Sequence, residues 1–413
     1  MSWISKWIGK KVPIRRGRMA VNVEDGFNEW PAGGSNLRDR HTGDREDVLR
    51  QSLQAWQTNP LARRVVELTS QYVVGGGLRL ECDHPATMAF LGQWWDHPLN
   101  QMDVRSVEWC DELSRAGELF VLISTAPDGM SYMRAVPAGQ VREIRCAEND
   151  MEQELEYVEF SGGEERTWPA WDISREDGQP FTPVMRHYAV NRPVGALRGE
   201  SDLAPLLRWL SRYSAWLEDR VRLNRYRQAF LYQVKAAFSS EQERLNRQQA
   251  LNALPPSPGS ILVTDDSENW SVIQPQLAAH EAGEDGLAIK RMVAAGAGIP
   301  LHFLAEPEGA TRTTAEFAGG PTFRRYEQRQ RYFLWMLKDL ARVAVMRKAR
   351  ISRRVRADAD IVVRGADIST RDNTALATSA REIVAAFLPL VERGLVDGAE
   401  LRRLAYRFAG EAA

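Results

Sequence analysis

The stretch from about Gly286 to Arg356 constrains this chain more than any other. It opens with an apolar and basic helical segment, Leu287 to Ala295, and breaks sharply at Gly296-Ala297-Gly298-Ile299-Pro300. Glycine ends a helix through its conformational freedom and proline through its missing N–H, so the break is firm. A loop of small residues and threonines follows (Glu306 to Thr314), then a long, very basic helical run beginning near Thr322. Helix, break, polar loop and long charged helix make a poor frame for an enzyme core. They suit a subunit that holds a loop in a shared space on two rigid struts.

At 413 residues the chain is too long for one ordinary core, so several domains or an elongated segmented subunit are expected. Hydrophobic residues at 44% and charged residues at 26% are a globular composition and argue against disorder. A net charge of −1 gives no bulk attraction to nucleic acid, so any such contact must come from local patches. The signs are segregated: Thr322 to Arg356 is basic and Ala147 to Glu165 acidic. Thirteen tryptophans fit extensive packing or subunit interfaces. Cys82, Cys110 and Cys146 form neither a CxxC pattern nor a disulfide framework, which fits a reducing compartment. No apolar run approaches the roughly 20 residues of a membrane span. Trp3, Ile4, Trp7 and Ile8 share one helical face, which reads as a terminal arm docking on a neighbouring subunit, with an interfacial membrane anchor as the alternative.

Along the chain, residues 44 to 198 read as a mixed α+β domain. Val48, Leu49, Leu53 and Trp56 recur at helical spacing, Asn59-Pro60 interrupts, and a second helix ends at Gly75-Gly76-Gly77 before the strand Leu78-Arg79-Leu80. The triple glycine is a helix-terminating turn, since no Lys-Ser/Thr follows it. Met88 to Trp95 and Val104 to Ala116 are helices, and the second closes at Gly117. Glu118 to Ser124 is a buried strand, followed by a meander of short strands and by His187 to Val190. A turn at Arg198 to Asp202 leads into a long helix to about Gln228. Ser240-Glu241-Gln242-Glu243 is a capping box opening a polar helix. Ile261 to Thr264 and Trp270 to Ile273 are expected to pair as a hairpin with an acidic tip. Ala359 to Arg364 is a lone strand that must join a sheet made earlier. Asp372 to Leu388 and Gly398 to Ala409 form a terminal helical pair, with Pro389 and Gly394 between them.

Chemistry-bearing motifs are missing. There is no GxSxG, no Walker A sequence, and no metal-ligand spacing among the six histidines. The expectation is therefore a non-enzyme with no cofactor, no metal and no small-molecule substrate.

Several short stretches, in order, resemble bacteriophage portal proteins of the lambda-like class. They are Val73 to Leu78, Ala116 to Phe120, Asn191 to Leu207 with the helix after it, Ser257 to Leu262, and Ala294 to Leu304 with the threonine-rich loop and long helix beyond. The set spans most of residues 44 to 400. The resemblance implies an α+β, elongated, segmented portal subunit. In it, 1–43 is an N-terminal arm, and 44–201 a mixed α/β wing completed by a strand at 358–366. Residues 202–228 and 277–300 are stem helices, 229–276 a small β-containing clip, and 301–320 a tunnel loop. Residues 321–357 form the long basic tunnel-side helix and 367–413 a short helical crown.

It further implies a closed, usually twelve-fold, homo-oligomeric ring at one capsid vertex of the virion, assembled in the host bacterial cytoplasm. Double-stranded DNA is packaged and ejected through the ring without sequence preference. The implied partners are the terminase large subunit, the major capsid or scaffold protein, and head-completion (adaptor) proteins. The tunnel loop then carries the DNA-facing residues Glu306, Glu308, Thr311, Arg312, Thr313 and Thr314, with Arg312 as its one cation. Arg324, Arg325, Arg329 and Arg331 on the basic helix face a neighbouring subunit or DNA. Asp265, Asp266, Glu268 and Trp270 in the clip are the motor-docking candidates. A competing expectation is a non-viral oligomeric nucleic-acid-binding scaffold.

Overall fold

Asn59 shows how the first elements are cut. The computed structural model describes residues 42–172, 181–228, 231–253, 267–273, 282–304, 312–368 and 373–409. The chain divides into two units, Met1–Arg38 and Asp39–Ala413, and every described residue lies in the second. Helices α1 (Thr42–Thr58) and α2 (Pro60–Val73) meet at Asn59, whose side-chain oxygen accepts from the Leu61 and Ala62 N–H groups at 3.0 and 3.2 Å. Pro60 takes the first helical position, where no N–H is needed. The glycine turn leads into β1 (Leu78–Cys82). Then come α3 (Pro85–Trp95), capped by His84, and α4 (Met102–Ala116), which stops at Gly117.

Strands β2 (Glu118–Thr125), β3 (Ser131–Val136), β4 (Val141–Ala147), β5 (Asp150–Ser161), β6 (Glu164–Pro169) and β7 (Val184–Ala189) follow. They do not make the single meander expected from their order. They divide into two antiparallel sheets, β3-β2-β7 and β4-β5-β6. The cause lies in β2, where Leu119, Phe120, Val121 and Ile123 are all fully buried. A strand buried on both faces needs a neighbour on each edge, and β2 takes β3 through a hairpin and β7 from farther along the chain.

A 3₁₀ turn at Ala204–Leu206 precedes α5 (Leu207–Gln228), so the long helix begins later than Asp202. Ser201 holds this turn through its hydroxyl, which accepts the Leu203 N–H, while the Asp202 N–H is taken by the carbonyl of Ser114. Strand β8 (Leu231–Ala236), α6 (Glu241–Ala253) and β9 (Glu268–Ile273) form the small excursion beyond. Here β9 pairs with β8, Leu231 opposite Ile273, and Ile261 to Thr264 lie outside the described residues. The capping box is shifted by one: the Glu243 N–H donates to Ser240 Oγ, but its carboxylate accepts from Ser239. Helix α7 (Ala282–Ala297) returns antiparallel to α5, with Gly286 beside Trp216 and Gly296 beside Leu206.

The next helix, α8 (Arg312–Ile351), is 40 residues, roughly 60 Å long. It starts well before Thr322 and carries Pro321 inside it. An interior proline removes one helical N–H and crowds the carbonyl four residues back, so Pro321 and the two glycines before it disfavour helix locally, and alanines at 315 and 318 favour it only farther toward the N-terminus. The lone strand β10 (Ile361–Gly365) pairs antiparallel with β1, Ile361 opposite Cys82 and Gly365 opposite Leu78. Helices α9 (Asn373–Glu392) and α10 (Gly398–Ala409) close the chain, and Pro389 lies within α9 rather than after it. Gly394, at φ 69°, makes the turn between them. The fold class is α+β.

Helix α8 runs through two cores. Its C-terminal half supplies Phe333, Met336, Leu337, Leu340, Ala341 and Ala344 to a core shared with α3, α4 and the β3-β2-β7 sheet. Each large side chain buried there contributes about 1.5–3 kcal/mol. Its earlier turns place Tyr326 in a second core with α2, the start of α5 and the end of α7. Tyr72 stacks on Tyr326 there at 4.7 Å.

Two of the short sequence stretches meet in space. Gly117 has φ +81°, and a Cβ on it would lie 2.2 Å from the Glu200 backbone; one on Gly199 would lie 2.0 Å from the Gly117 carbonyl oxygen. The contact tolerates no side chain. Gly117→Ala adds the left-handed backbone penalty of about 1–2 kcal/mol to that collision. We expect it to lower stability by more than about 2 kcal/mol in urea unfolding, and an unchanged midpoint would refute the contact.

Candidate functional site

The loop from Asn191 to Asp202 and the middle of α8 build one buried polar joint. Asn191 sits at φ 53°, a left-handed conformation that asparagine tolerates better than most residues. Its amide donates to the Glu200 carbonyl and to Asp202 Oδ1, both at 2.8 Å. Arg329 Nη2 donates to the same Asp202 oxygen at 2.9 Å, and Arg325 lies 3.6 Å from it. Asp202 is 3% exposed at its side chain and Arg329 10%. A carboxylate this buried needs charged donors to offset its lost hydration. Helix α8 supplies them one turn apart.

Arg325 also borders the break after α7. The Gly298 N–H donates to Ala295 O and the Ile299 N–H to Ala294 O, both at 3.0 Å, with Gly298 at φ 64°. This is a Schellman helix ending, closed by Ile299 packed in the second core. A Cβ on Gly298 would stand 3.0 Å from Arg325 Nη1, and Thr322 Oγ1 donates to Gly298 O at 3.3 Å. The break and the long helix are thus tied across the loop between them.

A second buried network joins the two sheets. His187 on β7 places Nδ1 at 2.7 Å from Glu154 of β5 and Nε2 at 3.3 Å from Glu118 of β2. Carboxylate acceptors on both nitrogens hold the ring as imidazolium. Burial alone would push its pKa down, but hydrogen bonds to Glu118 and Glu154 outweigh burial and raise it. Burial would likewise raise Glu118, yet His187, Arg198 and Arg45 hold it down at about 2. Glu154 is lowered too, burial being outweighed by His187 and Tyr157. A third cluster pins β7 to α8: Arg186 Nε and Tyr188 Oη donate to Asp339 Oδ2 at 2.8 and 2.7 Å. Arg347, fully buried, donates to Thr125 Oγ1 and Thr182 O, each at 2.9 Å.

The residues singled out from sequence fall into four groups. Glu306, Glu308, Thr311, Asp265 and Asp266 lie outside the described residues. Arg312, Thr313 and Thr314 form the first turn of α8, not a loop, so the segment expected to be loop over 301–320 is helical from 312. At its start, Leu301–Leu304 is a 3₁₀ turn. Among the four arginines, Arg325 and Arg329 are engaged by Asp202 of the same chain. Arg331 is exposed 3.9 Å from Glu327, and Arg324 is exposed. In the small β-containing excursion, Arg247 grips Glu268 with Nε and Nη2 at 3.0 and 3.1 Å, and Trp270 Nε1 donates to Glu268 at 3.1 Å. Glu268 is therefore held internally.

Sequence reasoning missed Asp202, Asp339 and the Glu118–His187–Glu154 network. Glu118 carried a signal: it heads an otherwise apolar run, Leu119 to Ile123. Among the described residues, no group of His, Cys, Asp and Glu is placed to hold a metal ion. No described helix is long and apolar enough to cross a membrane.

No protein-family model and no curated protein matches this sequence. Solved structures do. A chain in the virion of a native gene transfer agent particle aligns with a TM-score of 0.57 at 14% identity, covering 91% of this chain and 95% of its own. One from the neck of the native particle, computed with C12 symmetry, gives 0.55 at 14%, covering 91% and 96%. The crystal structure of an HK97 family phage portal protein from Corynebacterium diphtheriae aligns at 0.38 and 12%, covering 76% and 94%. The first two share this chain's fold over nearly its whole length.

Two outcomes follow from the buried charges. Asp202→Ala leaves Arg329 buried without its carboxylate and should lower stability by about 3 kcal/mol in urea unfolding; a loss near zero would refute the joint. The buried network gives stability a two-sided pH dependence. Glu118 contributes stability that is present above its unfolded value near 4.5 and lost as pH falls toward about 2. His187 contributes stability that is complete below its unfolded value near 6.5 and lost as pH rises through its raised folded value. His187→Gln should remove the alkaline loss and weaken the acid limb without abolishing it, since Arg198 and Arg45 still hold Glu118 down, read as urea midpoints from pH 3 to 9.

Proposed function

We propose that this protein is a portal-type ring subunit: copies close into a ring at one capsid vertex of a virion, and double-stranded DNA passes through the centre. What supports this most is the fold shared over nearly the whole length with a chain of a particle virion and with one of that particle's neck, the latter computed with C12 symmetry. The ordered stretches of sequence likeness add to it, and two of them meet at Gly117 and Gly199.

In this reading 44–201 with the strand at 358–366 is the wing, 202–228 and 277–300 the stem, 229–276 the clip, 301–320 with the first turns of α8 the tunnel-side segment, and 367–413 the crown. The clip is where a terminase large subunit and later head-completion proteins dock, and the capsid or scaffold protein surrounds the wing. Assembly takes place in the host bacterial cytoplasm. The motor's ATP chemistry belongs to a separate chain.

A passage for sliding DNA must not grip. Sequence-independent phosphate contacts are weakened by salt and carry no base information, which is what passage requires. Arg312, one cation among Thr311, Thr313 and Thr314, repeated around a ring, centres a duplex while Glu306 and Glu308 keep phosphates from settling.

Mass measurement and negative-stain imaging of the purified chain test the assembly. Rings with a central hole are expected; a monomer that shifts DNA in gels would instead establish the scaffold alternative. Arg312→Ala should leave ring formation intact and reduce DNA packaged or retained per particle, and wild-type DNA content would remove Arg312 from the role.

A further inference from the structure

The wing carries a cleft of about 810 Å³ between α1, α4 and the ends of the two sheets. Its lining includes five arginines (50, 105, 115, 134 and 142) against three glutamates (46, 108 and 112). One of those glutamates, Glu112, is paired with Arg115. Arg105 and Arg134 stand close enough that Arg105's charge, together with burial, pulls the Arg134 pKa down. Both give N–H groups to the Met133 carbonyl. Arg142 lies over the Phe160 ring at 3.6 Å. The floor is apolar, with Leu49, Leu53, Trp109 and Phe160, and Leu53 is 40% exposed. Such a cleft is built for an acidic segment with an apolar anchor. A DNA duplex, about 20 Å across by general geometry, is too wide to enter it.

That segment exists elsewhere on the same surface. The β4–β5 hairpin turns at Glu148-Asn149, and every residue from Glu148 to Gln153 is exposed. Glu148, Asp150 and Glu152 surround Met151, which is 43% exposed, and no lysine or arginine occurs from Cys146 to Glu165. Methionine is an adaptable apolar anchor. Strand β5 carries this tip at one end and the cleft-lining Phe160 near the other. Ten residues of strand separate Asp150 from Phe160 by roughly 30 Å. The tip therefore cannot fold back into its own cleft.

We propose that the hairpin tip of one protomer seats in the arginine cleft of the next, with Met151 on the apolar floor and its carboxylates on Arg105, Arg134 and Arg142. The contact is head to tail. Repeated with a closing rotation it makes a ring, so the proposal rests on the ring reading and supplies one of its interfaces.

The test uses the full-length chain carrying Met151→Cys and Leu53→Cys together with Cys82→Ser and Cys146→Ser, so that no partly exposed native thiol competes, oxidised after assembly. A ladder of dimers and higher multimers on denaturing gels is expected, and neither single variant should give more than dimers. Arg105→Glu with Arg134→Glu should abolish the ladder at least tenfold, and adding Asp150→Arg and Glu152→Arg in the same chain should restore it. Mass measurement of the uncross-linked protein separates the two claims. Rings without a ladder overturn this contact and leave the ring reading standing. A ladder that never closes keeps the contact and removes the ring. Monomers without a ladder overturn both.

Discussion

The carboxylate of Asp202 is the interaction on which the arrangement of this chain depends. Its backbone N–H is fixed by Ser114 of α4, and its oxygen is shared by Asn191 and Arg329, with Arg325 beside it. Three segments distant in sequence thus agree on one point. Because the group is almost fully buried, no partner can leave without exposing the others to an unpaired charge in a low-dielectric site. The glycine contact between Gly117 and Gly199 brings the backbones close enough for this to happen. Helix α8 does the rest, since one rod contributes to both cores.

Element identity was readable from sequence where local chemistry decides it. Asn59-Pro60, Gly117, Gly298 and the 240–243 cap each signal a boundary through one side chain or one backbone conformation, and the structure places boundaries there. Pairing was less readable. The two-sheet division depends on β2 being buried on both faces, which its apolar run permits without requiring. The helical start at Arg312 went unseen because the small residues and threonines of 306–314 carry no apolar periodicity, and an interior proline at 321 disfavours helix by its missing N–H and its ring clash. The buried charges were the least legible. Arg329 looks like any arginine on a basic helix until Asp202, more than a hundred residues earlier, is set against it.

The distribution of charge follows from that pairing. The segment that looks most basic in sequence is partly neutralised from within: Arg325 and Arg329 by Asp202, Arg331 beside Glu327, and Lys338 at 3.4 Å from Asp360. Counting arginines on α8 therefore overstates the positive field it presents outward. Charges already satisfied inside a protomer release few counterions when a polyanion passes, so they add little to the salt-dependent part of DNA affinity.

In the proposed ring, a near-neutral passage and a strongly patterned exterior are two sides of one constraint. On the proposed reading, a subunit that lets a duplex slide holds few cations along the passage, while neighbours in the ring still recognise each other in a fixed register. Segregating sign solves both. The acid of β5 and β6 is strung along one sheet with no cation between Cys146 and Glu165, and arginines collect in the cleft at the far end of that sheet. In the proposed contact, Glu148, Asp150 and Glu152 at the tip face the next protomer's arginines, while within the sheet Arg145 and Arg166 pair with Glu143, Glu156 and Glu164. Steering of this kind speeds encounter and fixes orientation more than it adds affinity. It leaves the apolar anchor, Met151, to hold what the charges have aligned.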